Sequence, residues 1–172
     1  MIDLRKTLTV AHDVLQKNGV SHALIGGFAL ALYGQYRATA DIDFLADGSK
    51  KDIIKKSLIS FGFKLVHETS EVLQFAGIGY VDILLANRPL SLEMLKNSIV
   101  NDDLKVSILQ PEDLIGLKIQ AYKNDASRAL QDKADIQKLL ELKNINTKIV
   151  KKYADLFNEW AEIEKIMTGN KK

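Results

Sequence analysis

The 172-residue chain contains no cysteine, which excludes both a disulfide framework and a thiolate zinc site. Histidine is scarce as well: none of His12, His22 and His67 stands at metal-like spacing from another, so each reads as structural. Any metal is therefore expected on carboxylates. Concentrated positive charge is missing too, since 24 basic and 22 acidic residues leave a formal charge of +2, unlike a dedicated nucleic-acid binder. No segment approaches the roughly 20 apolar residues of a membrane span. The opening stretch MIDLRKTLTVAHDVL mixes charges with apolar residues instead of building a continuous apolar run, so a cytoplasmic location without a membrane partner is the expectation. Repeats and low-complexity tracts are absent, and the lysine-rich KKDIIKK and TKIVKKY read as solvated helix faces.

What is present suffices for one sizeable core, because 47% of the residues are hydrophobic. Leu4, Leu8, Ala11 and Leu15 recur at helical spacing before Gly19, which predicts a helix over residues 3–18. HALIGG reads as a short buried strand, FALALY as a short helix ended by Gly34, and RATADIDFLA as an alternating strand. Gly48 and Ser49 cap a helix whose stripe is Ile53, Ile54, Leu58 and Ile59; KLVHE, EVLQFAG and YVDILLA follow as strands. Residues 89–99 predict a helix and LKVSIL a strand. Pro111 suits the first position of a helix running to about Asn124, and further helices are expected near 129–142 and 146–167. The switch from mixed to all-helical pattern marks a core over residues 1–110 and a helical segment over 111–172 packed on it.

Chemistry concentrates in RATADIDFLA. Side chains two apart on a strand share a face at roughly 7 Å, so Arg37, Thr39, Asp41 and Asp43 are expected on one side and Ile42 and Phe44 on the other. Two such carboxylates repel each other and lose hydration unless a cation compensates. Asp82 stands on a second strand whose opposite face carries Val81, Ile83 and Leu85, and three carboxylates on neighbouring strands suit Mg²⁺ or Mn²⁺ with substrate phosphates. An exposed, solvated face is the alternative for an isolated acidic pair. Gly26 and Gly27 permit close backbone approach before a helix start, a common phosphate-binding arrangement and also a common tight turn.

Gly26, Gly27, Gly34, Arg37, Thr39, Asp41 and Asp43 together resemble the G-G...G-x-x-R-x-T-x-D-x-D signature of DNA polymerase β-like nucleotidyltransferases, and among these the AbiEii-like and related minimal members. The stretch SILQPEDLIGLKIQAYKNDASRALQDKADI is similar to a second segment of AbiEii-like proteins, so the resemblance spans about residues 20–141. It implies a nucleotidyltransferase fold of the α/β (α+β) class, a mixed β-sheet flanked by helices with a C-terminal helical segment. It further implies that Gly26 and Gly27 hold triphosphate, that Asp41, Asp43 and Asp82 hold metal, and that Arg37 and Thr39 line the nucleotide site. Gly27 departs from the serine of many members, leaving backbone N–H groups to bind phosphate.

Lys118 falls at the centre of the apolar face made by Leu114, Ile115, Leu117, Ala121 and Tyr122. It reads either as a contact to phosphates or to the acidic cluster, or as a lysine whose stem packs while its amine reaches water. Asp132 lies on the face of Ala129, Ile136, Leu139 and Leu140, and suits either an inward nucleotide-site role or an ion pair with Arg128. Asp135 falls towards that face's edge.

The expected activity is transfer of a nucleoside monophosphate from a metal-bound nucleoside triphosphate, with pyrophosphate released, to a tRNA, protein or small-molecule acceptor. AbiEii-like resemblance implies one half of a toxin and antitoxin pair, with the cognate partner. A catalytically silent nucleotide-binding or partner-docking protein of the same fold is the alternative.

Overall fold

The computed structural model describes residues 3–169; the outermost ends of the two expected regions, residues 1–2 and 170–172, lie outside it. The chain divides into two compact units. One comprises the described residues up to Leu32 together with Tyr36–Leu109, the other Tyr33–Gln35 together with the described residues from Gln110 onward.

The first unit opens with helix α1 (Leu4–Lys17), capped by Asp3, whose side chain accepts from the Lys6 N–H. Leu8, Ala11 and Leu15 of its expected stripe are buried together with Val14, while Leu4 at the helix start is half-buried. Strand β1 (His22–Ile25) follows, buried at all four positions, then α2 (Gly26–Leu32), β2 (Asp41–Asp47), α3 (Lys51–Phe61), β3 (Lys64–Glu68), β4 (Val72–Ala76), β5 (Tyr80–Ala86), α4 (Pro89–Lys96), β6 (Ile99–Val100) and β7 (Ser107–Ile108). The strands form one mixed sheet in the order β3-β4-β5-β2-β1-β7-β6. β2 and β5 run parallel, β1 and β2 antiparallel, and β3, β4 and β5 form an antiparallel meander.

The parallel register of β2 and β5 matters most for the site. Ile42 lies opposite Val81 and Phe44 opposite Ile83, and all four side chains are fully buried. Burying that face fixes the strand phase, because a slip of one residue would exchange the faces. The same phase sets Asp43 opposite Asp82 on the other face.

Several expected elements differ. The strand RATADIDFLA begins only at Asp41, because the ladder with β1 reaches no further than Asp43 and β5 begins opposite Asp41; residues 35–40 have no strand partner and stay irregular. Gly26 and Gly27 are the first two residues of α2 and not part of a strand. The helix expected over 89–99 ends at Lys96, and LKVSIL contributes only Ser107–Ile108. There the Asn101 side chain accepts from the N–H groups of Asp103 and Leu104, and Lys105 adopts φ +55°, so a tight turn replaces extended chain between β6 and β7.

The second unit is helical: α5 (Pro111–Asn124), α6 (Ala129–Leu140), α7 (Thr147–Leu156) and α8 (Trp160–Gly169). The single helix expected near 146–167 is broken, because Asn158 turns to φ +56° between α7 and α8. Its core joins Leu114, Ile115 and Ile119 of α5 to Ile136 and Leu139 of α6, Val150 and Ala154 of α7 and Ile163 of α8. Two buried acids in the first turn of α5 anchor α7: Glu112 accepts from the Asn146 N–H at 2.6 Å, and Asp113 accepts from the Tyr153 hydroxyl. Asn146 in turn caps α7 through the Lys148 N–H.

Candidate active site

β2 and β5 bring Asp41, Asp43 and Asp82 together. One ligand oxygen from each lies within 4.8 Å of the others, and all three side chains are half-buried. Partial burial pushes the Asp82 carboxyl above its ordinary range; a hydrogen bond from Gln74 Nε2 to Asp82 Oδ2, 2.6 Å, pulls it back, the charge of Asp41 raises it again and His67 lowers it. Like charges at this separation destabilise one another until a cation joins them. The donor set is oxygen only, compact and half-buried, which fits a hard divalent cation such as Mg²⁺ or Mn²⁺.

The start of α2 lies against this cluster. Gly26 has φ +66°, and a Cβ on it would meet Asp43 Oδ2 at 1.9 Å. A Cβ on Gly27 would meet Thr39 Cβ and Oγ1 at 2.8 Å and the Arg37 guanidinium carbon at 3.1 Å. Both glycines are therefore required by close approach, and Gly26 also by its left-handed backbone. The Thr39 hydroxyl donates to Asp41 Oδ1 at 2.8 Å, while Arg37 Nη1 donates to the Ala38 carbonyl at 3.1 Å. Thr39 thus reaches the cluster, and Arg37 the start of α2, from an irregular segment and not, as expected, from the strand that carries the aspartates.

Gly26, Gly27, Arg37, Thr39, Asp41, Asp43 and Asp82 are gathered in the first unit. Lys118 and Asp132 lie in the second. Lys118 is buried with Nζ 3.2 Å from Asp132 Oδ1 and 2.6 Å from Asp135 Oδ2. Arg128 Nε approaches Asp132 Oδ2 at 3.3 Å, the i to i+4 pair that the spacing suggests. Asp135, read from its helical angle as an edge position, is fully buried and also accepts from Gln131 Nε2 at 2.9 Å, because both Gln131 and Lys118 fold over it.

Sequence reasoning overlooked two features. Gln74 has no motif to flag it; its phase on β4 relative to Asp82 was the available signal. His12 and His22 meet despite their separation in sequence: His12 Nδ1 lies 2.8 Å from His22 Nε2, and His22 Nδ1 lies 2.7 Å from the Val20 carbonyl. The carbonyl can only accept, so His22 Nδ1 carries the proton, Nε2 accepts, and His12 donates from Nδ1. Burial pushes His22 down to about 4, and burial likewise lowers His12.

No family model matches the chain, and no curated protein matches it. Solved structures do. ANT(2″)-Ia in complex with adenylyl-2″-tobramycin superposes with a TM-score of 0.68 at 12% identity, covering 90% of this chain and 96% of that one. An antigenic nucleotidyltransferase-like protein from Paracoccidioides brasiliensis gives 0.61 at 17%, covering 95% and 91%. The lincosamide antibiotic adenylyltransferase LnuA, bound to lincomycin, gives 0.53 at 17%, covering 79% and 96%. The fold is that of the nucleotidyltransferases, a mixed sheet flanked by helices.

Proposed function

We propose that this nucleotidyltransferase-fold chain transfers a nucleoside monophosphate from a metal-bound nucleoside triphosphate to an acceptor hydroxyl. The observation that carries this reading is the convergence of Asp41, Asp43 and Asp82 within 4.8 Å beside two glycines whose Cα atoms face Asp43 and Thr39. A purely structural sheet face gains nothing from three mutually repelling carboxylates. Similarity of fold to ANT(2″)-Ia and LnuA supports the same chemistry.

Asp41, Asp43 and Asp82 are the residues to hold Mg²⁺ or Mn²⁺, which when bound supplies charge stabilisation for the triphosphate and the developing pyrophosphate. Backbone N–H groups at Gly26 and Gly27 receive the phosphates, Arg37 adds a positive charge, and Thr39 orients Asp41 through its hydroxyl. The acceptor oxygen attacks the α-phosphorus, the bond from that phosphorus to the bridging oxygen of the leaving pyrophosphate breaks, and Asp82 takes the acceptor proton directly or through water. A place for Lys118 and Asp132 at the nucleotide phosphates rests on the family resemblance. The pairing of Lys118 with Asp132 and Asp135 supplies a second account, in which these residues stabilise the helical unit.

The acceptor is a small molecule, a tRNA or a protein. The second AbiEii-like segment supports a toxin and antitoxin context, and the antibiotic-bound state of LnuA and the adenylyl-tobramycin complex of ANT(2″)-Ia support a small-molecule acceptor. Calorimetric titration of the protein with each nucleoside triphosphate, with Mg²⁺ and with EDTA, tests the reading. Metal-dependent binding that disappears in Asp43→Asn is expected; absence of binding to every triphosphate would favour the silent scaffold. Label transfer from α-labelled triphosphate to RNA, protein or small-molecule fractions then identifies the acceptor.

A further inference from the structure

A row of polar side chains crosses the sheet at the level of the triad. Asp43 of β2 faces Asp82 of β5, Asp82 faces Gln74 of β4, and Gln74 faces His67 of β3, next to the bulge in that strand pair. Leu73 and Phe75, either side of Gln74, are fully buried, so alternation along β4 holds Gln74 on the triad face. The amide spends one N–H on Asp82 Oδ2 at 2.6 Å.

We infer that Gln74 is a positioning residue for Asp82, its amide engaging one carboxylate oxygen so that the other is held ready for the cation shared with Asp41 and Asp43. The inference rests on the metal-site reading above and deepens it. A carboxylate on Cβ samples a broad range of its terminal torsion, and ligand-holding partners outside the coordination sphere narrow that range. An amide suits this task better than lysine or arginine would. It donates a hydrogen bond yet brings no positive charge to compete with the metal, and it leaves the negative charge of Asp82 intact.

The test uses the full chain and Mn²⁺ alone, followed by the loss of the free-ion electron paramagnetic resonance signal. Gln74→Met removes the donor at nearly constant length and volume, and Gln74→Leu serves as a second variant should the first fail to fold. The expected result is a Mn²⁺ affinity weakened about tenfold or more, with the melting temperature in EDTA unchanged. The double variant Gln74→Met, Asp82→Asn is expected to bind no more weakly than Asp82→Asn, because the amide acts only through that carboxylate. Wild-type Mn²⁺ affinity in the Gln74 variants, or losses that simply add in the double variant, would overturn the role of Gln74 while leaving the metal site standing. Failure of the folded wild-type protein to take up Mn²⁺ would overturn the metal-site reading itself, and the positioning role with it.

Discussion

At the scale of single residues, two buried ionisable groups make opposite demands on the fold. Lys118 was marked by its place on an apolar face, but its partners could not be read, because Asp132 and Asp135 join it only when α5 packs on α6. Replacing Lys118 by methionine leaves Asp132 and Asp135 buried beside each other with their cation gone, a change expected to destabilise by about 3–5 kcal/mol. Urea unfolding at neutral pH measures it, and a loss under about 1 kcal/mol would mean that Arg128 compensates. His22 is buried neutral, and burial holds it at about 4 in the native state, below the ordinary value near 6.5. The unfolded chain therefore binds the extra proton between those values. Stability is complete above about pH 6.5 and declines as the pH falls towards 4, by on the order of 3 kcal/mol. His12 adds to this with the same sign. In His22→Gln, whose amide can donate and accept without titrating, unfolding free energies between pH 7 and 4.5 are expected to fall less steeply.

At the scale of elements, close approach decides where glycine is required. A Cβ on Gly116 of α5 would meet the Tyr153 ring of α7 at 2.8 Å, and that ring is held in place by its hydroxyl bond to Asp113. Gly116→Ala improves intrinsic helix propensity by about 1 kcal/mol, yet overpacking a well-filled core costs about 1–3 kcal/mol. A net loss of thermal stability is expected, and a melting curve distinguishes it from the gain that propensity alone would produce. Periodicity revealed α1, α5 and the strands β1, β4 and β5 because each buries a regular stripe or face; α3 stands where it was expected, but of its stripe only Ile54 and Leu58 are buried, while Ile53 and Ile59 are exposed. It mistook residues 37–40 for strand because Arg37 and Thr39 alternate with Ala38 and Ala40, although no neighbouring strand is there to pair with them. It joined α7 to α8 for a similar reason: the apolar pattern runs through the break, while the left-handed Asn158 interrupts the backbone.

For the whole molecule, the proposed metal site would link cation binding to stability through the triad. A cation that binds the folded chain alone stabilises it by about 2.7 kcal/mol at one hundred times its dissociation constant. Melting temperature is therefore expected to rise from EDTA to saturating Mg²⁺ in the wild type and to stay level in Asp43→Asn, a comparison that scanning calorimetry makes directly. The sequence by itself determined the alternation of strands and helices and the α/β class, which depend on local period, and it singled out Gly26, Gly27, Asp41, Asp43 and Asp82 as candidates through their spacing and the signature they resemble. Only the tertiary structure decided what those residues meet. Opposing Asp43 to Asp82 needs the parallel register of β2 and β5, set by the buried contacts of Ile42 and Phe44 with their partners on the other face. Joining Gln74 to Asp82, His12 to His22, and Lys118 to Asp132 and Asp135 likewise needs contacts between elements. Local sequence sets which face a side chain takes; packing of distant segments sets which neighbour it finds there.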